Sequence, residues 1–164
     1  MKASVKIRRA KESDHDSLWL IIEQVISAGD TYIFAPDSDR KKMLDYWCGS
    51  DKKTYVAEKD GIIVGTFIIK DNFPDLGSHV ANASYITKPN AFGQGIGRTM
   101  AEFSLAEAKR LGYKAMQFNI VVKSNERAVS LWQKLGFEIK AEIPEAFNHK
   151  DQGLTNAYIM WKSL

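Results

Sequence analysis

Phe92-Gly93-Gln94-Gly95-Ile96-Gly97-Arg98 places three glycines at alternate positions between a strand-like and a helix-like segment. Glycine lets a backbone approach a ligand closely, and the free N–H groups of a helix start favour an anion, helped by the helix dipole. The chemistry expected is a diphosphate cradle made of Gln94, Gly95, Ile96, Gly97, Arg98 and Thr99. A turn that only packs strand on helix is the bland alternative, and it needs fewer glycines. Two other phosphate motifs fail. No Gly-Lys-Ser/Thr occurs, so there is no Walker loop. A dinucleotide fingerprint would need a third glycine where Arg98 stands and an acid near Gln117.

The second candidate group is a pair of amides. If Val80–Thr87 is a strand, Val80, Asn82, Ser84 and Ile86 share one face; if Ala115–Val122 is another, Gln117, Asn119 and Val121 do. An amide among Val, Ile and Ala must find a partner, either a structural hydrogen bond or a ligand's carboxylate or amine. Asparagine cannot remove a proton at neutral pH, but it can position an amine or a water. Glu23, Asp30 and His79 are the candidate bases, each equally readable as an ordinary helix, loop or strand-end residue. Tyr32 and Phe34, in the aromatic segment Thr31–Pro36, either line an acceptor pocket or bury a loop over the core. Three scattered histidines and one cysteine give no metal-ligand spacing, so no metal is expected.

Around these residues the chain reads as follows. Val5–Arg9 is a first strand. Ser13 and Asp16 form a capping box for a helix carrying Leu18, Ile22, Val25 and Ile26, ended by Gly29-Asp30. Ser38 or Asp39 caps a second helix with Met43, Leu44 and Trp47. Tyr55–Ala57 and Ile62–Ile69 are strands, and Asp60-Gly61 between them suits a type I′ turn. After Val80–Thr87 and the glycine run comes a helix with Met100, Phe103, Ala106 and Leu111, then the strand Ala115–Val122 and a helix over Asn125–Leu135. Strands near Phe137–Ile143 and Thr155–Trp161 finish the chain, with a long polar loop, Pro144–Gly153, between them. The order β-α-α-β-β-β-α-β-α-β-β predicts a single mixed α/β (α+β) sheet of six to seven twisted strands flanked by about four helices.

Length and composition bound the rest. At 164 residues the chain is expected to be one domain, 1–164, able to bury a core without disulfides. The single Cys48 suits a reducing compartment. No run approaches the roughly 18 apolar residues a membrane span needs. The opening Met1–Lys6 lacks the apolar core of a signal peptide, so a cytoplasmic location is expected. A net charge of +3 is dispersed, not gathered in the dense stripe of a nucleic-acid surface.

Phe92-x-x-Gly95-x-Gly97 and Asn125-x-x-Ala128-x-x-Leu131-Trp132-x-x-x-Gly136-Phe137 together resemble the GNAT N-acetyltransferase superfamily over almost the whole chain. Phe92 departs from the family's arginine or glutamine, and Trp132 from its tyrosine, the usual general acid. Indole N–H is a hydrogen-bond donor but no comparable acid. Within the superfamily, Gly29–Tyr32, His79–Ala83 and Gln117–Val122 are similar to the yeast azetidine-2-carboxylate (proline-analogue) acetyltransferase and its bacterial relatives.

The resemblance implies acetyl-CoA as cosubstrate. Ile86 and Thr87 would bind its pantetheine like an added strand, Gln94–Thr99 its pyrophosphate, and Asn125 and Trp132 would flank the arm. It also implies direct attack by a small-molecule amine, with Asn82 and Asn119 holding the acceptor's carboxylate, and a homodimer. Two further readings stand beside it: acetylation of a protein or peptide amine, and a non-catalytic acyl-CoA-binding or sensing module, to which Trp132 lends weight. Phe147–Lys150 either closes over substrate or sits at a dimer contact.

Overall fold

The computed structural model describes residues 4–164, so the first half of the Met1–Lys6 segment lies outside the described residues. Seven strands form one sheet: β1 (Lys6–Arg9), β2 (Lys53–Lys59), β3 (Ile62–Asp71), β4 (Val80–Thr87), β5 (Ala115–Val122), β6 (Glu138–His149) and β7 (Gly153–Ser163). Their order is β1-β2-β3-β4-β5-β7-β6, with β4 and β5 parallel and the other neighbours antiparallel. The helices are α1 (His15–Ile26), α2 (Arg40–Trp47), α3 (Ile96–Arg110) and α4 (Glu126–Lys134). This is the mixed α/β sheet with four helices that the element order predicts.

Strand alternation divides the core into two layers. Val56, Ile68 and Ile86 face α1 and α2, meeting Leu18, Ile22, Ile26, Met43 and Trp47. Tyr55, Ala57, Phe67, Ile69, Ala81, Ala83, Met116 and Phe118 face α3 and α4. Thr66 is fully buried in the first layer. Its hydroxyl donates to the Tyr55 carbonyl at 2.7 Å and accepts from Trp47 Nε1 at 2.9 Å, so no polar atom there is orphaned. The turn at Asp60-Gly61 has φ of 52° and 76°, both positive as a type I′ turn requires.

Two expectations fail. Ser13 does not cap α1; Asp14 occupies the cap position and directs its carboxylate backward, to Lys11 N at 2.7 Å and to Arg8 at 2.8 and 3.0 Å. Bidentate guanidinium pairing outcompetes a capping box. Nor is Pro144–Gly153 a loop: β6 runs to His149 and pairs with β7 down to His149↔Gly153. Glu145 at φ 51° makes a bulge, its N–H taken by Asn156 Oδ1 at 3.0 Å, and Phe147 and His149 turn inward beyond it. A bulge hides the period of two on which strand reading depends.

Arg8 holds the Asp14 carboxyl below its usual 3.8. A depressed carboxylate stabilises the fold above its unfolded pKa and ceases to do so as pH falls through the folded one. Asp14→Ala should therefore cost about 2 kcal/mol near neutral pH, and the difference from the parent should vanish progressively below pH 3.8. Urea titrations across that range check it; a pH-independent difference would assign the effect to packing.

Candidate functional site

Two neighbouring strands separate at the centre of the sheet. β4 pairs with β5 only at Val80↔Ala115 and Ala81↔Met116. Beyond that point each leaves an unpaired edge facing the other. The Val80 carbonyl and the Lys88 N–H bond toward β3, so on alternate residues the backbone of Ala83, Tyr85 and Thr87 faces the gap. Ile86 therefore differs from the sequence expectation: its backbone faces Thr66 on β3 and its side chain is 1% exposed. Thr87 and Tyr85 carry the free edge, and Ile86 contributes only surface.

β5 keeps the gap open. Its register with β7 slips between Phe118 and Val121. The slip moves Val121 onto the α3–α4 layer with Phe118. Val121 thus leaves the face it was expected to share with Gln117 and Asn119, because a bulge breaks the period of two.

The gap opens into a cavity of about 760 Å³. Its walls are the end of α1, the segment Asp30–Phe34, β4, β5 and the start of α4. Tyr32 and Phe34 both line it. The Tyr32 hydroxyl donates to the gap-facing carbonyl of Tyr85. Burial pushes that phenol well above its usual 10, so it stays protonated at neutral pH. The hairpin of β6 and β7 braces this wall: Lys150 N donates to Gly29 O at 3.0 Å, and a Cβ on Gly29 would sit 3.1 Å from that of Lys150.

Asn82 and Asn119 both line the cavity, and a third amide that sequence reading missed joins them. Asn72, just after β3, accepts on Oδ1 from Asn82 Nδ2 at 3.2 Å and from Asn119 Nδ2 at 2.8 Å. Asn82 Nδ2 also donates to the Gln117 carbonyl at 3.2 Å, and Gln117 Nε2 donates to Asn119 Oδ1 at 3.0 Å. Of the candidate bases only Asp30 lines the cavity; Glu23 and His79 are exposed and lie outside it. Lys70, unremarked in the sequence, is also in the wall.

Where β4 ends, the glycine run begins. Gly95, at φ 80°, is the N-cap of α3 and offers no side chain, and the first helical bond runs from Thr99 N to Gly95 O. The N–H groups of Ile96, Gly97 and Arg98 are therefore without intrahelical acceptors. Neighbouring side chains are committed elsewhere: Gln94 Oε1 to Lys59, Arg98 Nε to Glu102 and Thr99 Oγ1 to Gly95 O. The backbone N–H groups are the free donors aimed along the helix axis, and the terminal nitrogens of the Arg98 guanidinium remain available beside them. Added Cβ atoms on Gly93 and Gly95 would meet nothing within 4 Å. Phe92 closes this end of the cavity, with the Arg127 guanidinium 5.0 Å from its ring.

Asn125 caps α4 through Oδ1, accepting from Ala128 N at 3.3 Å, which leaves its amide N–H₂ for the cavity it lines. Trp132, also in the wall, is 8% exposed and packs 4.9 Å from Tyr85 and 4.6 Å from Phe118, centroid to centroid. No group of ligating side chains that could hold a metal occurs among the described residues.

The arrangement can therefore receive a diphosphate on the α3 start, extend a linear amide-bearing ligand along β4, and hold a small polar molecule against the amides. The model of the acetyltransferase (GNAT) family matches residues 19–137. N-acetyltransferase aca1 of Schizosaccharomyces pombe is 36% identical over 98 residues, 59% of this chain and 47% of that protein, so the match spans under half of that relative. A GCN5-related N-acetyltransferase from Kribbella flavida is 34% identical and superposes with a TM-score of 0.92 over 98% of both chains. The structure of yncA, a putative acetyltransferase from Salmonella typhimurium, shares the fold at 20% identity, with a TM-score of 0.87 over 99% of this chain and 95% of that one. The chain belongs to the GNAT acetyltransferase family.

Proposed function

We propose that this protein is an acetyl-CoA-dependent N-acetyltransferase whose acceptor is a small-molecule amine, an amino acid, imino acid or toxic analogue of the kind the proline-analogue acetyltransferases take. The observation that carries this reading is the continuity of the site. An unpaired strand edge and an amide-lined pocket open into one another along β4, and the bare α3 start lies beside the end of that edge, where a Cβ on Gly97 would stand 3.7 Å from Thr87 Oγ1.

Bound acetyl-CoA would supply an activated acetyl thioester. The residues fit that group. The N–H groups of Ile96, Gly97 and Arg98 would take phosphate oxygens, and the edges of Ala83, Tyr85 and Thr87 would take a pantetheine as an added strand. Their N–H groups also suit an oxyanion. Asp30 supplies a carboxylate in the cavity that can accept the amine's proton directly or through water. Asn82 and Asn119 orient the acceptor. A wall made of Tyr32, Phe34 and the braced hairpin bounds the acceptor side, which favours a small molecule over a protein surface.

Thiol release from acetyl-CoA, measured against amino acids, proline analogues, polyamines, aminoglycosides and N-terminal peptides, tests the proposal. Turnover confined to one amino- or imino-acid class is expected. Acetyl-CoA binding with no turnover on any amine would instead make the chain a sensing module.

The family's arginine or glutamine at the first motif position is absent, and Arg127 reaches the same end of the cavity from α4, held over Phe92. Arg127→Ala should weaken acetyl-CoA about three- to tenfold, with the loss shrinking as salt is raised. Titration calorimetry at two ionic strengths decides; a salt-independent loss would point to packing instead of charge.

A further inference from the structure

One ammonium in the cavity wall is hydrogen-bonded to no anion, although Asp30 lies in the same cavity and Asp51 lies within range of its charge. Lys70 is the registered partner of Asn82 across β3 and β4 and lies half-buried in the cavity wall. Its ammonium sits 5.5 Å from the Tyr46 ring centroid, and no acceptor within hydrogen-bond distance takes it among the described residues. Lys52, the other lysine over Tyr46, is paired with Asp51 at 2.7 Å. A half-buried ammonium in a cavity invites an anion. That anion is not the diphosphate: Asn82 and Thr87 are five residues apart on β4, about 17 Å at strand spacing.

Asn82, the amide paired with Lys70 across the strands, is oriented against a carboxylate. The Gln117 carbonyl can only accept, so the Asn82 group facing it must be the donor nitrogen. The same nitrogen gives its second hydrogen to Asn72 Oδ1. Both donors of Asn82 are thereby used, and Oδ1 is what remains for a ligand. Asn72 is held in this sense even though its own Nδ2 is left buried without a partner. An amide oxygen attracts an N–H and repels a carboxylate.

We propose that the acceptor is a carboxylate-bearing amine whose carboxylate pairs with Lys70 while Asn82 Oδ1 accepts from its amine. This rests on the acetyltransferase reading above and divides between two residues the recognition that the resemblance gives to a pair of asparagines.

The test uses matched acceptors: azetidine-2-carboxylic acid, L-proline and L-methionine, each beside its carboxamide, which keeps the amine and loses the negative charge. The amide's lower basicity cancels when variants are compared through the acid-to-amide ratio of kcat/KM. Lys70→Met should lower that ratio about 10- to 100-fold by raising KM for the acids, with KM for acetyl-CoA unchanged. Lys70→Arg should keep most of the ratio. Asn82→Ala should lower kcat/KM for acids and amides alike and leave the ratio in place. A ratio that survives Lys70→Met, or collapses in Asn82→Ala, overturns the division. Failure of the parent reading looks different: no thiol is released by the unmodified protein with any acid or amide, and both proposals then fall.

Discussion

Valine at position 97 should weaken acetyl-CoA about 10- to 100-fold while leaving the melting temperature unchanged or slightly raised. The two effects separate because the protein has room there and the ligand does not. An added Cβ on Gly97 would stand 3.7 Å from Thr87 Oγ1 and 4.0 Å from Leu131 Cδ2, both ordinary contacts. Gly97 lies in the first turn of α3, where valine is a better helix former than glycine. Its side chain would enter the space between the end of β4 and α4, in front of the N–H groups that an anion must reach. Gly95 is a poorer test, because its φ of 80° would add backbone strain to any branched side chain. Calorimetric titration with acetyl-CoA beside a thermal melt reads both quantities. Unchanged affinity in a folded Gly97→Val protein would move the phosphate site away from α3.

Local chemistry was legible in the sequence, and arrangements made by irregular backbone were not. The glycine run and the Asn125–Phe137 segment announce themselves because each motif works within one strand-turn-helix or one capped helix. The amphipathic helices were equally clear: Leu18, Ile22 and Ile26 recur at helical spacing, and all three are buried. Bulges defeated the same reasoning. One in β5 moved Val121 to the opposite face from the one its parity gives. Another in β6 made a paired strand look like a polar loop.

The acceptor side of the site shows the same limit. Asn72 lies in an irregular segment after β3 and gains its meaning only from Asn82 and Asn119, 10 and 47 residues away. Lys70 goes unremarked in the sequence until β4 places Asn82 beside it. Ile86 reads as a ligand-binding residue until the pairing with β3 shows which way its backbone faces. Register decides such matters, and a single sequence carries register only indirectly.

Truncating Trp132 should have the largest effect on stability. Its ring is 8% exposed and contacts Tyr85, Phe118 and Phe137 at centroid distances of 4.9, 4.6 and 5.6 Å. Trp132→Ala should cost about 3–5 kcal/mol and lower the melting temperature by roughly 10 °C for a chain of this size. The informative pair is Trp132→Tyr and Trp132→Phe, which differ by one hydroxyl at the position where the family resemblance implies a tyrosine acid. Equal kcat in the two is expected. The aromatic body at 132 shapes the cavity wall and seats Tyr85 and Phe118 beneath the strand edge, a task any large ring performs in part. Release of a thiol with a pKa of about 8.5 needs no strong donor at mildly alkaline pH. A kcat for Trp132→Tyr well above that of Trp132→Phe, growing as pH falls, would instead show that the native chain lacks a proton donor that this fold can use.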